Sequence, residues 1–292
     1  MKHIAVIGPG AIGGTVIVRL EQAKEHRVTV CARSAVPQFI LEAPEGKMTA
    51  APEIFASPPA PRPVDWIFAA TKAYDAAATA AWFPSLAGSE TRLAVLQNGV
   101  EHVKRFAPYF PESRIVPVVV DMPVERPAAG CFQQRGPGRF TVRADASGEE
   151  FARLFHNTGF EIVVASDFPT AAWNKLAVNC AGAVSALVLK PAAIVRQPEI
   201  ADIIRSLVRE CVAVGRAEGA SLDDSLVESV LERYRKAAPD SINSLHADRI
   251  AGRPMEIDAR NGVIVRLGKT HGIPTPVNQI IVALLEAVGR HD

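Results

Sequence analysis

Along the first half of the chain, short unbroken apolar runs alternate with longer stretches in which apolar residues recur every third or fourth position. HIAVIG, VTVCA, WIFAAT, RLAVLQ and RIVPVVVDM are the runs, each bounded by turn or helical residues. Runs of this length and bounding read as strands buried on both faces. Strands alternating with helices predict a parallel sheet with helices on both faces. GCFQQRG and GRFTVRA, joined by a Gly-Pro-Gly turn, are expected to add antiparallel strands at the edge of that sheet. A helix over GEEFARLFHNTG and a strand over EIVVAS complete this half. From Asp167 onward the strand signal stops. Ala172 to Val188, Glu199 to Glu218, Leu222 to Lys236 and Gln279 to Gly289 carry helical spacing, with Gly219 and Gly289 placed as stops. The pattern predicts an α/β domain over residues 1–166 followed by an all-α domain over 167–292. Two domains also suit the length, since single cores stop growing near this size.

Composition narrows the function classes. Acids and bases balance to a formal charge of +1, which supplies no field for drawing in nucleic acid or an anionic membrane, so the expected partner is a small molecule. Cys31, Cys131, Cys180 and Cys211 are scattered without a CxxC pair or a Cys/His cluster, which predicts reduced thiols, no disulfide framework and no metal site. The opening residues MKHIAVIGPG read as a strand running into a glycine turn rather than as a leader. The Ala-rich runs are broken by Pro, Asn, Gly or charge before reaching the roughly 20 residues that cross a bilayer. A cytoplasmic location is the expectation.

The chemistry begins directly after the first strand. Gly8-Pro9-Gly10-Ala11-Ile12-Gly13 is a G-x-G-x-x-G pattern between a strand and a helix, the context that makes it a dinucleotide fingerprint. Gly8 would allow the tight turn, Gly10 the close approach of a pyrophosphate, and Gly13 the packing of helix on strand. The helix amino end, from Ala11 and Ile12 on, offers unpaired N–H groups to phosphates. A ligand-free glycine turn is the plainer reading. After the second strand stands Arg33, where NAD-preferring domains place Asp or Glu. A forked, permanently charged guanidinium suits a 2′-phosphate, so the expected cofactor is NADPH/NADP+; a solvated surface arginine is the alternative.

Ligands of parallel sheets gather at the carboxyl ends of the strands. Lys72 follows WIFAAT and Asn98-Gly99 follows RLAVLQ. Both are cofactor-site candidates, Asn98 for the nicotinamide end or a substrate carboxylate, against a surface lysine and an Asn-Gly turn. In the second half, Trp173-Asn174-Lys175-Leu176-Ala177-Val178-Asn179 lies in an otherwise apolar helix. Lys175 and Asn179, four apart, share a face. A lysine on so apolar a helix tends towards a lowered pKa, which suits a proton donor near neutrality; a snorkelling lysine is the other reading. Further on, Ser244 precedes Gly252-Arg253-Pro254-Met255-Glu256-Ile257-Asp258 and Asn261-Gly262. Glu256, between Met255 and Ile257, is a candidate partner for Lys175, unless it only complements a helix dipole.

Together these residues resemble the ketopantoate reductases (2-dehydropantoate 2-reductases), end to end. The likeness is carried by GPGAIG, Arg33, Thr71-Lys72-Ala73, Gln97-Asn98-Gly99, the Trp173–Asn179 run, Gly252-Arg253, Glu256-Ile257-Asp258 and Asn261-Gly262. It implies a Rossmann-type domain followed by a helical domain like that of 6-phosphogluconate dehydrogenase, and NADPH-dependent reduction of a 2-oxo acid. It implies Lys175 as general acid and Glu256 as the carboxylate at the substrate's reacting oxygen. Asn98 and Ser244 would hold the substrate carboxylate, Asn98 also the nicotinamide, Asn179 a substrate hydroxyl, and Lys72 would lie near both ligands. Two positions depart from the family's habit, Ala183 and Ser241 standing where asparagine is common. Reduction of another 2-oxo acid, opine-type dehydrogenation and a non-catalytic NADP(H) sensor therefore stay open as readings. The sensor is disfavoured by the presence of both Lys175 and Glu256. The long apolar helices of the second domain offer a homodimer interface.

Overall fold

The computed structural model describes residues 1–34 and 36–289; the last three residues of the domain expected over 167–292 lie outside them. The chain forms two compact units, one of Met1–Gln97 and Glu101–Phe168, the other of Asn98–Val100 and everything from Pro169 onward.

The first unit runs β1 (His3–Ile7), α1 (Ala11–Ala23), β2 (Arg27–Cys31), β3 (Phe39–Ala43), β4 (Gly46–Ala50), β5 (Glu53–Phe55), β6 (Trp66–Ala69), α2 (Ala76–Ala80), α3 (Phe83–Leu86), β7 (Arg92–Val95) and α4 (His102–Phe106). It continues through β8 (Ile115–Pro117), β9 (Val119–Asp121), β10 (Val124–Ala128), β11 (Cys131–Gln134), β12 (Arg139–Arg143), α5 (Ala146–Arg153) and β13 (Glu161–Ala165). Its main sheet has the order β5-β2-β1-β6-β7-β8, and every pair is parallel. The central strands are apolar at nearly every position because both faces are covered. Ile4, Val6, Trp66 and Phe68 enter one core with Phe140, Phe151 and Phe155, while Ala5, Ile7, Ile67 and Ala69 enter another with Phe83, Phe106 and Phe110. The strand order reverses between β1 and β6, the place where such sheets bind ligands. Ile7 is level with Cys31 and with Ala69, and Ala69 with Val95, so the segments after these strands leave along one edge.

The segments expected to extend this sheet do not join it. β11 lies in a four-stranded sheet, β10-β11-β3-β4, and β12 in a three-stranded one, β13-β12-β9. Phe132 of β11 stacks on Phe39 of β3 at 6.0 Å and fills the space left by the missing side chain of Gly14 on α1. This aromatic contact, rather than the intervening turn, decides the partner of β11. The RIVPVVVDM run likewise divides, β8 staying in the main sheet and β9 pairing with β12.

The second unit is helical and, among the described residues, has no strand: α6 (Phe168–Ala181), α7 (Ala183–Val188), α8 (Pro198–Ala217), α9 (Leu226–Lys236), α10 (Ser244–Ile250), a π-helical turn (Asp258–Gly262), α11 (Val263–His271) and α12 (Pro276–Gly289). The single helix expected over 172–188 is broken at Gly182. A Cβ there would stand 2.6 Å from the Tyr234 hydroxyl, and Asn243 Nδ2 donates to the Gly182 carbonyl at 2.8 Å. The core packs Trp173, Leu176, Ala177 and Cys180 of α6 against Ile204, Leu207, Val208 and Cys211 of α8. A polar brace runs through it. Glu210 accepts the Val277 and Asn278 N–H groups at 2.9 Å each, satisfying the amino end of α12. Asn278 Oδ1 accepts from Asn261 Nδ2 at 2.9 Å, and the same amide donates to the Cys180 carbonyl at 3.2 Å.

The four thiols are unpaired, with Cys31, Cys180 and Cys211 buried; burial pushes the Cys31 thiol up to about 12, so it is inert near neutrality. No helix among the described residues is long and apolar enough to cross a membrane.

Candidate active site

The turn after β1 is built by glycines for separable reasons. Gly8 has φ +91°, donates its N–H to the Cys31 carbonyl at 3.1 Å, and a Cβ there would lie 2.7 Å from Thr71 Cγ2. Conformation and space both demand glycine. A Cβ on Gly13 would meet the Gly8 carbonyl at 2.2 Å and Ala70 Cβ at 3.0 Å, so only glycine lets α1 close onto the strand ends. A Cβ on Gly10 would meet none of the described atoms within 4 Å. Gly10 caps α1 without a side-chain hydrogen bond, and no acid stands in the first turn. The amino end at Ala11 and Ile12 is thus open backbone with a partial positive charge, the donor set a phosphate requires. Arg33 is exposed two residues beyond β2, and Lys72 is half-buried just beyond β6.

Gln97, to which the sequence alone assigns no role, ties two of these strand ends together. Buried Gln97 donates to Thr71 Oγ1 at 3.0 Å and to the Lys72 carbonyl at 3.3 Å, and accepts from Arg105 Nη1 at 3.0 Å. Its own carbonyl faces His102 Nε2 at 2.8 Å. Burial first, and then the Arg105 charge, push the His102 imidazole down to about 4. The ring is therefore neutral, and Nε2–H donates to Gln97.

In the helical unit, residues far apart in sequence converge. Asn98 Nδ2 donates to Glu256 Oε2 at 2.9 Å, and Asn179 Nδ2 lies 3.4 Å from Asn98 Oδ1. Glu256 is 5% exposed. Asn179 is on α6, one turn beyond half-buried Lys175. Ser244 opens α10, whose preceding Asn243 accepts from the Leu245 and His246 N–H groups at 3.0 and 3.2 Å and so fixes the helix start. Sequence reasoning missed Arg260. It is 2% exposed, donates from Nη2 to the Asn179 carbonyl at 2.5 Å, and places Nη1 3.5 Å from Ser244 Oγ. The available signal was a charge four residues after Glu256, in a segment that then turns apolar.

Other motif members serve the fold. Arg253 Nε holds buried Asp248 at 2.9 Å, Asp258 pairs with Arg266 on the surface, and Asn261 belongs to the brace described above. Ala183 is fully buried in the apolar core. Ser241 accepts the Ala192 N–H on its carbonyl at 2.9 Å. His246 is buried against Ser185 Oγ at 3.0 Å, and His271 faces Glu218 at 2.5 Å.

A reversing six-stranded parallel sheet with an open glycine turn at the switch point, followed by a helical unit, defines the Rossmann-type dinucleotide-binding class with a helical second unit. Within that class, the profile of the ketopantoate reductase PanE/ApbA family matches residues 4–146, and that of the ketopantoate reductase PanE/ApbA C terminal matches 167–289. A 2-dehydropantoate 2-reductase of Caulobacter vibrioides is 55% identical over 98% of this chain and 99% of its own. One from Mycobacterium tuberculosis is 38% identical over 97% of each. The crystal structure of a PanE/ApbA family ketopantoate reductase from Ralstonia eutropha superposes with a TM-score of 0.90 at 28% identity, covering 98% of both chains. The chain belongs to the ketopantoate reductase family.

Proposed function

We propose that this protein reduces ketopantoate to pantoate with NADPH, Lys175 acting as proton donor and Glu256, Asn98, Asn179 and Ser244 holding the 2-oxo acid. The observation that carries the reading is the hydrogen-bonded chain Asn179–Asn98–Glu256, whose first member lies on α6, the helix that bears Lys175. It brings together a carboxylate and two amides that the sequence keeps at positions 98, 179 and 256, and the Lys175 amine belongs to the same helix as Asn179. Gly8, Gly10, Ala11, Ile12 and Gly13, with Lys72 nearby, would hold the nicotinamide nucleotide, which when bound would supply the hydride for the carbonyl carbon. Lys175 polarises the carbonyl oxygen by its charge and then gives it a proton, so that C=O becomes CH–OH. Glu256 accepts from the hydroxyl so formed. Arg33 supports NADPH over NADH, because a guanidinium beyond β2 matches a 2′-phosphate and repels nothing on it.

Ala183, which has no side-chain group to hydrogen-bond, favours a second reading, a 2-oxo acid without a distal hydroxyl; the bond an asparagine would add there is worth about 0.5–1.5 kcal/mol. NADPH oxidation with ketopantoate beside a panel of 2-oxo acids decides. Preferred turnover of ketopantoate supports the first reading, preference for an acid lacking the hydroxyl supports the second, and no turnover of any acid refutes both. The exposed row Ile280, Leu284 and Val288 on α12 supports homodimer formation; a monomer mass by sedimentation at micromolar concentration would rule it out.

A further inference from the structure

Among the described residues, Arg260 is a charge without a hydrogen-bonded counter-ion. Its side chain is 2% exposed, and its hydrogen-bond partners are two neutral oxygens, the Asn179 carbonyl at 2.5 Å and Ser244 Oγ at 3.5 Å. Its Nε is buried with no hydrogen-bond partner among the described residues. The carboxylates whose charge bears on it are engaged by other groups, Glu256 by the Asn98 amide at 2.9 Å and Asp248 by Arg253 at 2.9 Å. Burying a cation in this way is costly unless something compensates it. Clasping the end of α6 does not explain the charge. The next residue, Asn261, holds the next carbonyl, Cys180, with a neutral amide at 3.2 Å. The two consecutive holds come from the π-helical turn Asp258–Gly262, a geometry that recurs at functional sites.

We infer that Arg260 selects for an anionic substrate, acting through Ser244 and Asn179: it is the cation that balances the substrate's carboxylate. The inference rests on the proposed reduction of a 2-oxo acid. Ser244 Oγ accepts from the guanidinium on one side and donates its hydrogen to the carboxylate on the other, a relay in which each bond strengthens the next. Arg260 itself is a positioning residue and does not touch the substrate.

The test compares ketopantoate with its amide, which keeps the skeleton and loses the charge, in wild type, Arg260→Met and Arg260→Lys. The Arg260→Met variant is expected to lower kcat/KM for the acid about 30-fold, the scale of losing a charge-assisted hydrogen bond. The amide should change less than about threefold, and NADPH affinity by fluorescence titration should be unchanged. Arg260→Lys should keep most of the acid-over-amide ratio. Equal losses for acid and amide would mark a structural role and overturn the inference. So would a ratio in Arg260→Lys as low as in Arg260→Met, or, should Arg260→Met not fold, equal binding of acid and amide by the wild-type enzyme. Wild type that oxidises NADPH with neither compound overturns the proposed function as well, and so is told apart from failure of the Arg260 inference alone.

Discussion

His102 should make stability depend on pH in a window where carboxylates contribute little. In the folded chain its imidazole is fully buried with pKa about 4, against 6.5 when exposed. Between those values the unfolded chain binds a proton that the folded chain refuses, so stability falls as pH drops through 6.5 towards 4. At pH 5 the interval traversed is about 1.5 pH units, or about 2 kcal/mol, and the full shift is worth about 3 kcal/mol. His102→Gln removes the titration and keeps an N–H that reaches the Gln97 carbonyl. Thermal melts of both proteins at pH 7.5 and 5.0 are the assay. The wild type should lose about 4–6 °C more than the variant on acidification. Equal pH dependence of the two proteins would show that His102 takes up its proton without unfolding, and would refute the neutral donor assigned to it. His3, His26 and His246 are also held below their ordinary value, chiefly by burial, so part of the wild-type slope survives in the variant.

Three further outcomes follow from the site. Lys175→Ala should lower turnover about a hundredfold or more while NADPH still binds, the scale of a positioned acid; retained turnover removes Lys175 from the mechanism. Glu256→Gln, which leaves Asn98 facing an uncharged amide, should raise KM for the 2-oxo acid at least about tenfold through loss of a charged hydrogen-bond partner, with the nucleotide's KM little moved; the reverse pattern contradicts its role. Arg33→Ala should raise KM for NADPH and spare that for NADH, and an unchanged cofactor ratio would place the arginine outside the nucleotide site.

How much of this was legible in the sequence varied with what decides each feature. The six-stranded sheet's principal strands were readable because burial on both faces leaves them uniformly apolar. The glycine turn was readable because its flanking strand and helix are local. The partners of β11 and β12 were not, because a short alternation says that a face is buried without saying against what; here Phe39 and Gly14 receive Phe132 of β11, and Phe160, just before β13, packs on Phe140 of β12 with ring centroids 4.7 Å apart. The break at Gly182 depends on Tyr234 and Asn243, more than fifty residues away. In the site, Lys175 and Asn179 share a helix face that spacing alone predicts. Asn98 meets Glu256 across 158 positions, and family resemblance rather than periodicity pointed to that pair. Arg260 escaped because an arginine in a mixed segment reads as solvated until its surroundings are known.

Residues 98–100 lie between two strands of the first unit yet pack with the second, Val100 against the helical core and Asn98 on Glu256. On the ribosome, where amino-terminal units fold first as they emerge, these three residues appear early and wait for a partner translated more than 150 positions later. The proposed substrate site is therefore completed among the last events of folding. A nascent or truncated chain ending near residue 168 would carry the nucleotide turn without the carboxylate that Asn98 holds, and would be unable to perform the reduction proposed for the whole protein.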